Sequence, residues 1–204
     1  MLQDTGERII PEEMKPTNGL LLEHVARYYF STPYVGGRVL DIACGTGYGS
    51  VLIAKTRKKE INELIGLDID QETIDYAKTH YYHPLVTFDV GDALDPSLKE
   101  KIGTFDTILS FETIEHVPDD QLFVDRLYDL LKPGGTMIVS TPFGQGRGKP
   151  CGSPFHYHQL TEKEFQSLFK RFDECDMYYQ RYVTIEPKRP DVYYPLGVAV
   201  CKKR

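Results

Sequence analysis

The sequence predicts an α/β domain built on a mostly parallel sheet, and three observations predict it. Short apolar segments alternate with stretches of helical period between residues 38 and 140, which is the pattern of βαβ units. The first of these segments, Val39-Leu40-Asp41-Ile42, runs into the glycine-rich turn Gly45-Thr46-Gly47-Tyr48-Gly49 and then into a helix-compatible run. After residue 160 the alternation stops, leaving one helical stretch and two strand-like segments with no helix between them, so these two are expected to pair antiparallel.

The elements follow in order. Gly6, Pro11 and Pro16 punctuate an irregular N-terminal segment, in which Arg8-Ile9-Ile10-Pro11 reads as a flap. Thr17 or Asn18 caps a helix to about Phe30, with Leu21, Leu22, Val25, Ala26 and Tyr29 at helical spacing. A strand over 38–42 and a helix over 47–57 flank the glycine turn. Leu64 to Asp68 is a second strand, and Asp70 caps the helix from Glu72 to Thr79. Val86-Thr87-Phe88 and Phe105 to Ser110 are the third and fourth strands. Asp119-Asp120 open a helix to Leu131 that Pro133-Gly134-Gly135 closes, and Thr136 to Ser140 is the fifth strand. Residues 141–160 hold Gly144, Gly146, Gly148 and Gly152 with Pro142, Pro150 and Pro154 and show no period, so they form a long, substrate-side loop. Thr161 caps a helix over about 161–170, with Glu164 in the capping-box position. Strands over about 174–185 and 192–201 end the chain. The sum is a Rossmann-like seven-stranded sheet, mostly parallel with an antiparallel C-terminal strand and helices on both faces. No repeat or composition shift marks a second domain within residues 1–204.

Composition narrows the function classes. The formal net charge of −6 argues against a nucleic-acid partner, because phosphate binding wants a basic face. The clusters Arg57-Lys58-Lys59 and Lys202-Lys203-Arg204 read as solvated surface. No apolar run is long enough to span a bilayer, and residues 1–7 carry neither a basic region nor an apolar core, so a cytoplasmic protein is expected. Cys44, Cys151, Cys175 and Cys201 show no C-x-x-C spacing, so free thiols are expected and no metal centre.

The glycine turn is where a ligand belongs. Glycine lets a ligand approach the main chain, and the N–H groups that open the helix favour a polar or anionic group. A nicotinamide fingerprint, G-x-G-x-x-G, would place its third glycine at position 50, which is Ser50; the third glycine is Gly49. Asp41 before the turn would repel a pyrophosphate and suits a cofactor carrying cationic groups. In an open α/β sheet ligands sit at the carboxyl ends of strands. Asp68 ends the second strand and can accept both hydroxyls of a ribose; Asp92, in Gly91-Asp92-Ala93 after the third, can accept from an adenine amine. A plain helix cap or turn acid is the alternative for each.

The run Leu40-Asp41-Ile42-Ala43-Cys44-Gly45-Thr46-Gly47 resembles motif I of the class I S-adenosylmethionine-dependent methyltransferases, with Ala43 where many members carry glycine. Gly6-Glu7-Arg8, Glu23-His24 with Arg27-Tyr28, Ser110-Phe111-Glu112-Thr113-Ile114-Glu115-His116-Val117 and Ser140-Thr141-Pro142 narrow the likeness to small bacterial members similar to ubiquinone-biosynthesis-type and glycan-modifying enzymes. The resemblance implies S-adenosylmethionine as cofactor and S-adenosylhomocysteine as product. It implies cofactor contacts from Asp41, Ala43, Gly45, Gly47, Asp68, Ile69, Asp92, Ala93 and Phe111, with Glu112 beside them. Arg8 and Arg27 are candidates to hold the cofactor's carboxylate, because a guanidinium matches it bidentately. Tyr28, Tyr29 and Tyr48 are candidates to line the cleft.

Methyl transfer from a sulfonium needs alignment and exclusion of water, and a hydroxyl acceptor also needs a base. His116, after the fourth strand, and His156 and His158, in the long loop, are the candidates. The expected acceptor is a small molecule or glycan-like compound, methylated at oxygen or nitrogen. A dinucleotide-dependent oxidoreductase and a non-catalytic cofactor-binding module are the alternative readings.

Overall fold

The computed structural model describes residues 8–204. One sheet organises them. Its strands are β1 (Gly37–Ile42), β2 (Ile61–Asp68), β3 (Val86–Val90), β4 (Phe105–Phe111), β5 (Leu131–Pro142), β6 (Glu174–Arg181), β7 (Thr184–Glu186) and β8 (Leu196–Lys202), in the order β3-β2-β1-β4-β5-β8-β6-β7. The first five are parallel; β8 runs antiparallel between β5 and β6. The class is the expected one, with eight strands instead of seven. The extra strand, β7, is the return arm of a tight hairpin on β6, turned at Tyr182, whose φ is 55°. The sequence predicts one strand over about 174–185 here, because no glycine or proline marks the break between Arg181 and Thr184.

Helices α1 (Gly19–Ser31), α2 (Tyr48–Thr56), α3 (Gln71–His80), α4 (Leu98–Ile102), α5 (Asp120–Leu130) and α6 (Glu162–Ser167) cover both faces. The period of two along each strand divides the core. Leu40, Ile42, Ile108, Met137, Val139 and Ala199 point toward Phe123 and Leu127 of α5 and Phe165 of α6. The intervening Val39, Leu109, Ile138 and Val198 share the opposite core with Tyr28 of α1 and Ile53 of α2. Ile74 and Ala77 hold α3 against Phe88 and Cys44 on that same side.

The caps are those read from the sequence. The side chains of Asn18, Asp70 and Asp119 accept the N–H groups of Leu21, Glu72 and Leu122, and Thr161 with Glu164 closes a reciprocal capping box. Three boundaries differ. The short helix α4 was not anticipated, α6 stops at Ser167, and Pro133-Gly134-Gly135, expected as a break, lies within β5. Cys175 of β6 stands opposite Cys201 of β8 and the two are disulfide-bonded, so only Cys44 and Cys151 are the free thiols expected. Among the described residues no helix is long and apolar enough to cross a membrane.

The glycine turn is shaped by what lies against it. Gly47 has φ of 87° and caps α2, and a Cβ there would stand 2.6 Å from the Phe88 ring. Gly49 has ordinary helical backbone, but a Cβ on it would lie 2.0 Å from Cζ of Tyr28, so its hydrogen is what lets α1 rest on α2. Gly49→Ala is therefore expected to destabilise the chain by roughly 2–3 kcal/mol through overpacking, about 5–10 °C in Tm at this size. The same substitution in a Tyr28→Ala background should cost much less, and equal costs in the two backgrounds by thermal or denaturant unfolding would overturn the assignment.

Candidate active site

A cleft of about 740 Å³ opens at the carboxyl ends of β1 to β4. This is the place where an open parallel sheet leaves its loops, helix N-termini and last side chains facing a common space. Eight of the residues expected to meet a cofactor line it: Arg8, Ala43, Gly45, Asp68, Ile69, Asp92, Ala93 and Phe111.

Asp68 is the organising acid of one end. Its Oδ2 accepts the Gly45 N–H at 2.9 Å and its Oδ1 accepts the Asp70 N–H at 3.0 Å, so one carboxylate ties the glycine turn to the start of α3. Burial nevertheless pushes the Asp68 carboxyl up from the ordinary range. Asp70 does the capping, which leaves Asp68 to the cleft. Arg8 reaches in from the N-terminal segment and pairs with Asp70 at 2.9 Å, on the acid side of the cleft. Ile69, 70% exposed, offers an apolar wall beside it. Asp92 closes an Asx turn by accepting the Leu94 N–H at 2.8 Å.

Four expected residues stand outside the cleft lining, each for a visible reason. Asp41 is 1% exposed and accepts hydrogen bonds from Ser50 Oγ at 2.6 Å and Tyr28 Oη at 3.2 Å. It lies behind Tyr28, which lines the cleft in its place. Burial raises its carboxyl to about 7 despite those two donors. Arg27 is buried: Nη1 donates to Gln180 Oε1 at 2.7 Å and Nη2 sits 3.9 Å from Glu112 Oε1, so it braces α1 against β6 and the loop after β4. Gly47 is turned toward Phe88. His158 is buried with Nε2 3.1 Å from Asp120 Oδ2, and it anchors the long loop to the start of α5. Of the three tyrosines, Tyr28 and Tyr48 line the cleft, while Tyr29 is 55% exposed on the outer side of α1.

The inner end of the cleft comes from the turn after β4 and from the long loop. Glu112 has φ of 52°, a left-handed conformation rare for a side-chain-bearing residue, and accepts the Ser140 Oγ–H at 3.2 Å. Glu115 is buried, accepts from Thr141 Oγ1 at 3.0 Å, and is pushed well above the carboxylate range by burial and by Glu112. His116 follows it, and the loop carries Phe155 and His156 back over it. The Tyr157 N–H donates to the Glu115 carbonyl at 2.9 Å and His116 Nδ1 meets the Phe155 carbonyl at 3.1 Å. The rings of His116 and His156 stand edge to face with centroids 4.7 Å apart. His24 of α1 also faces the cleft, and burial with the Arg27 charge holds its ring well below the ordinary histidine value. Glu115 and His24 fall within the motifs that carry the resemblance but are given no role from the sequence; their places at the cleft come from the turn after β4 and from α1.

Comparison with known proteins settles the family. A family model described as a methyltransferase domain matches residues 34–182. The chain belongs to the methyltransferase-domain family. It is 34% identical over 171 residues to a Mycolicibacterium smegmatis protein named as a probable S-adenosylmethionine-dependent methyltransferase, covering 81% of this chain and 63% of the relative. It is 36% identical over 109 residues to the ubiquinone biosynthesis O-methyltransferase of Mesorhizobium japonicum, covering 53% of this chain and 42% of the relative. The chain thus spans less than two thirds of the length of these relatives. In three dimensions it resembles an S-adenosylmethionine-dependent methyltransferase from Archaeoglobus fulgidus with TM-score 0.65 and 14% identity, over 91% of this chain and 95% of that one.

The cofactor of the family is S-adenosylmethionine, and the cleft fits it. A Cβ on Gly45 would meet nothing within 4 Å although the residue lines the cleft, so the turn is bare where a ligand would rest on the main chain. The acids at the ends of β2 and β3 supply acceptors for hydroxyl and amine donors.

Asp41 yields a pH test of this arrangement. Its carboxyl holds its proton more tightly folded than unfolded, so its contribution to stability is full below about pH 4 and is lost as the pH rises through about 7. Asp41→Asn cannot ionise, so between about pH 4 and pH 8 it should gain on the parent by up to about 4 kcal/mol. Parallel stability curves for the two proteins in denaturant unfolding would overturn this reading.

Proposed function

We propose that this domain transfers the methyl group of S-adenosylmethionine to an oxygen or nitrogen of a small-molecule or glycan-like acceptor, with a hydroxyl favoured. The observation that carries this is the division of one cleft into an acid-and-glycine end, at β1 to β3, and a histidine end, at the turn after β4. The likeness to a relative named as an O-methyltransferase supports oxygen as the acceptor atom.

The residue roles on this reading are those the resemblance implies. Asp68 holds the ribose hydroxyls, Asp92 takes the adenine amine with Ala93 beside it, and Ile69 and Phe111 give apolar walls to the base and the methyl-bearing end. The Ala43 and Gly45 backbone meets the ligand at the turn, and Arg8 contributes positive charge along that edge. When bound, the cofactor supplies an activated methyl: the acceptor's lone pair forms the bond to carbon as the carbon–sulfur bond breaks, the electron pair stays on sulfur, and the acceptor's proton is lost. The chain's task is to align the acceptor, keep water out and dispose of that proton. Phe155 and His156 on the loop roof the inner end, and His116 and His156 are its imidazoles. His158 serves by anchoring that loop.

Calorimetric titration with S-adenosylmethionine, S-adenosylhomocysteine and NAD tests the reading. The two sulfur compounds should bind in the micromolar range and NAD should not. Asp68→Ala should weaken both by at least about 30-fold, as expected for loss of hydrogen bonds to a charged acceptor. Absence of sulfur-compound binding would sink the proposal, and tight NAD binding would favour a dinucleotide oxidoreductase.

A further inference from the structure

We propose that Glu115, His116 and His156 form a divalent transition-metal site at the inner end of the cleft, and that the metal takes the acceptor's oxygen as a further ligand. This rests on the methyltransferase reading for its purpose but not for its geometry.

The three residues converge from two parts of the chain. Glu115 and His116 sit on the single 3₁₀ turn Ile114–His116, and His156 is returned to them by the long loop. One ligand atom from each lies within 4.8 Å of the other two. Donors held about 2.0–2.2 Å from a common ion in a tetrahedral site stand about 3.3–3.6 Å apart, so binding draws the three together by up to about 1 Å through side-chain rotation. Among the described residues this is the one such group of histidine, cysteine and carboxylate donors.

The surroundings suit a cation. Glu115 is 1% exposed, and a carboxylate withdrawn from water needs a positive partner. Arg27 is occupied between Gln180 and Glu112. Thr141 donates to one Glu115 oxygen, the kind of outer contact that orients a ligating carboxylate. His116 Nδ1 lies 3.1 Å from the Phe155 carbonyl and His156 Nδ1 lies 3.1 Å from the Gln159 amide, outer contacts of the kind that orient ligating imidazoles.

The donor set selects the ion. Two imidazoles and one carboxylate suit Zn²⁺, Fe²⁺, Co²⁺ or Mn²⁺ better than Mg²⁺ or Ca²⁺, which prefer oxygen donors throughout. Three protein ligands leave coordination positions open toward the cleft. A hydroxyl bound there has its pKa lowered; its proton passes to solvent water, and the oxygen keeps the lone pair that attacks carbon. The site thus assigns the acceptor a class, a compound presenting an oxygen that can reach the ion, and it makes His116 and His156 ligands in place of bases.

The test uses the full chain stripped with chelator and titrated with Zn²⁺ and Mn²⁺, with S-adenosylhomocysteine binding measured on the same samples. About one ion should bind per chain. Glu115→Gln and His156→Ala should each weaken binding by at least about tenfold, and His156→Ala should leave S-adenosylhomocysteine affinity nearly unchanged. Should either variant unfold, the visible spectrum of Co²⁺ on the parent protein decides. Bands of nitrogen-ligated, low-coordinate Co²⁺ are expected, and the spectrum of the aqueous ion would overturn the site. Failure of the stripped parent to take up Zn²⁺ or Mn²⁺ would also overturn it, and retained S-adenosylhomocysteine binding in that protein would leave the methyltransferase reading standing. Metal uptake without S-adenosylhomocysteine binding would do the reverse.

Discussion

The buried carboxylate of Asp41 is the tie on which the ligand side of the sheet depends. It is the penultimate residue of β1, and its two hydroxyl donors come from α1 through Tyr28 and from α2 through Ser50. Three elements separated by the glycine turn are thereby held at one point. Such a group is costly to bury unless its bonds are made, and leaving a partner unsatisfied costs more than the bond itself contributes. The missing side chain of Gly49 is the steric half of the same arrangement, since Tyr28 reaches Asp41 only across the surface that Gly49 leaves bare. The conformation of the turn, and with it the open face of Gly45, follows from this packing.

The sheet supplies the rest of the frame. With β1 in register between β2 and β4, Asp41 stands beside Gly66 and Leu109, so the strand ends carrying Asp68 and Phe111 emerge level with the glycine turn. The antiparallel insertion of β8 between β5 and β6 then brings Gln180 close enough to receive Arg27. Arg27 in turn approaches Glu112, whose left-handed backbone starts the turn leading to Glu115 and His116. The C-terminal strands therefore support the inner end of the cleft without lining it.

What was legible in the sequence is what depends on near neighbours in the chain. Asp68 ends β2 and Asp92 lies two residues past β3, so strand position alone put them at the cleft, and Asn18, Asp70, Asp119 and Thr161 could be read as caps because a cap acts within three residues. Asp41 and Arg27 were legible as important but not as buried. Their side chains are consumed by Tyr28, Ser50 and Gln180, partners contributed by other elements, and no local pattern reports those contacts. The pair His156 and His158 shows the same limit. They flank a bend at Tyr157, so His156 enters the cleft while His158 meets Asp120, and the sequence carries nothing to say which one turns inward. Cys175 and Cys201 could be matched only once β8 was known to lie beside β6.

The two ends of the cleft are therefore built by different means. The acid end uses a carboxylate and backbone N–H groups from consecutive turns, and it needs no distant segment beyond α1. The histidine end is assembled from the turn after β4 and a loop some forty residues on, and that loop is fixed by charge. Arg147 Nε lies 2.8 Å and His158 Nε2 lies 3.1 Å from one oxygen of Asp120, at the first residue of α5. Asp120 is itself buried and favourably placed at a helix N-terminus, so its carboxylate is held where Arg147 and His158 of the loop can meet it. The loop's inner residues, Phe155 and His156, reach the cleft only because its outer residues are secured there. The acid end, where we propose that the cofactor binds, is thus set by local sequence, and the histidine end hangs on a long loop, whose sequence can change while the turn and the two acids stay in place.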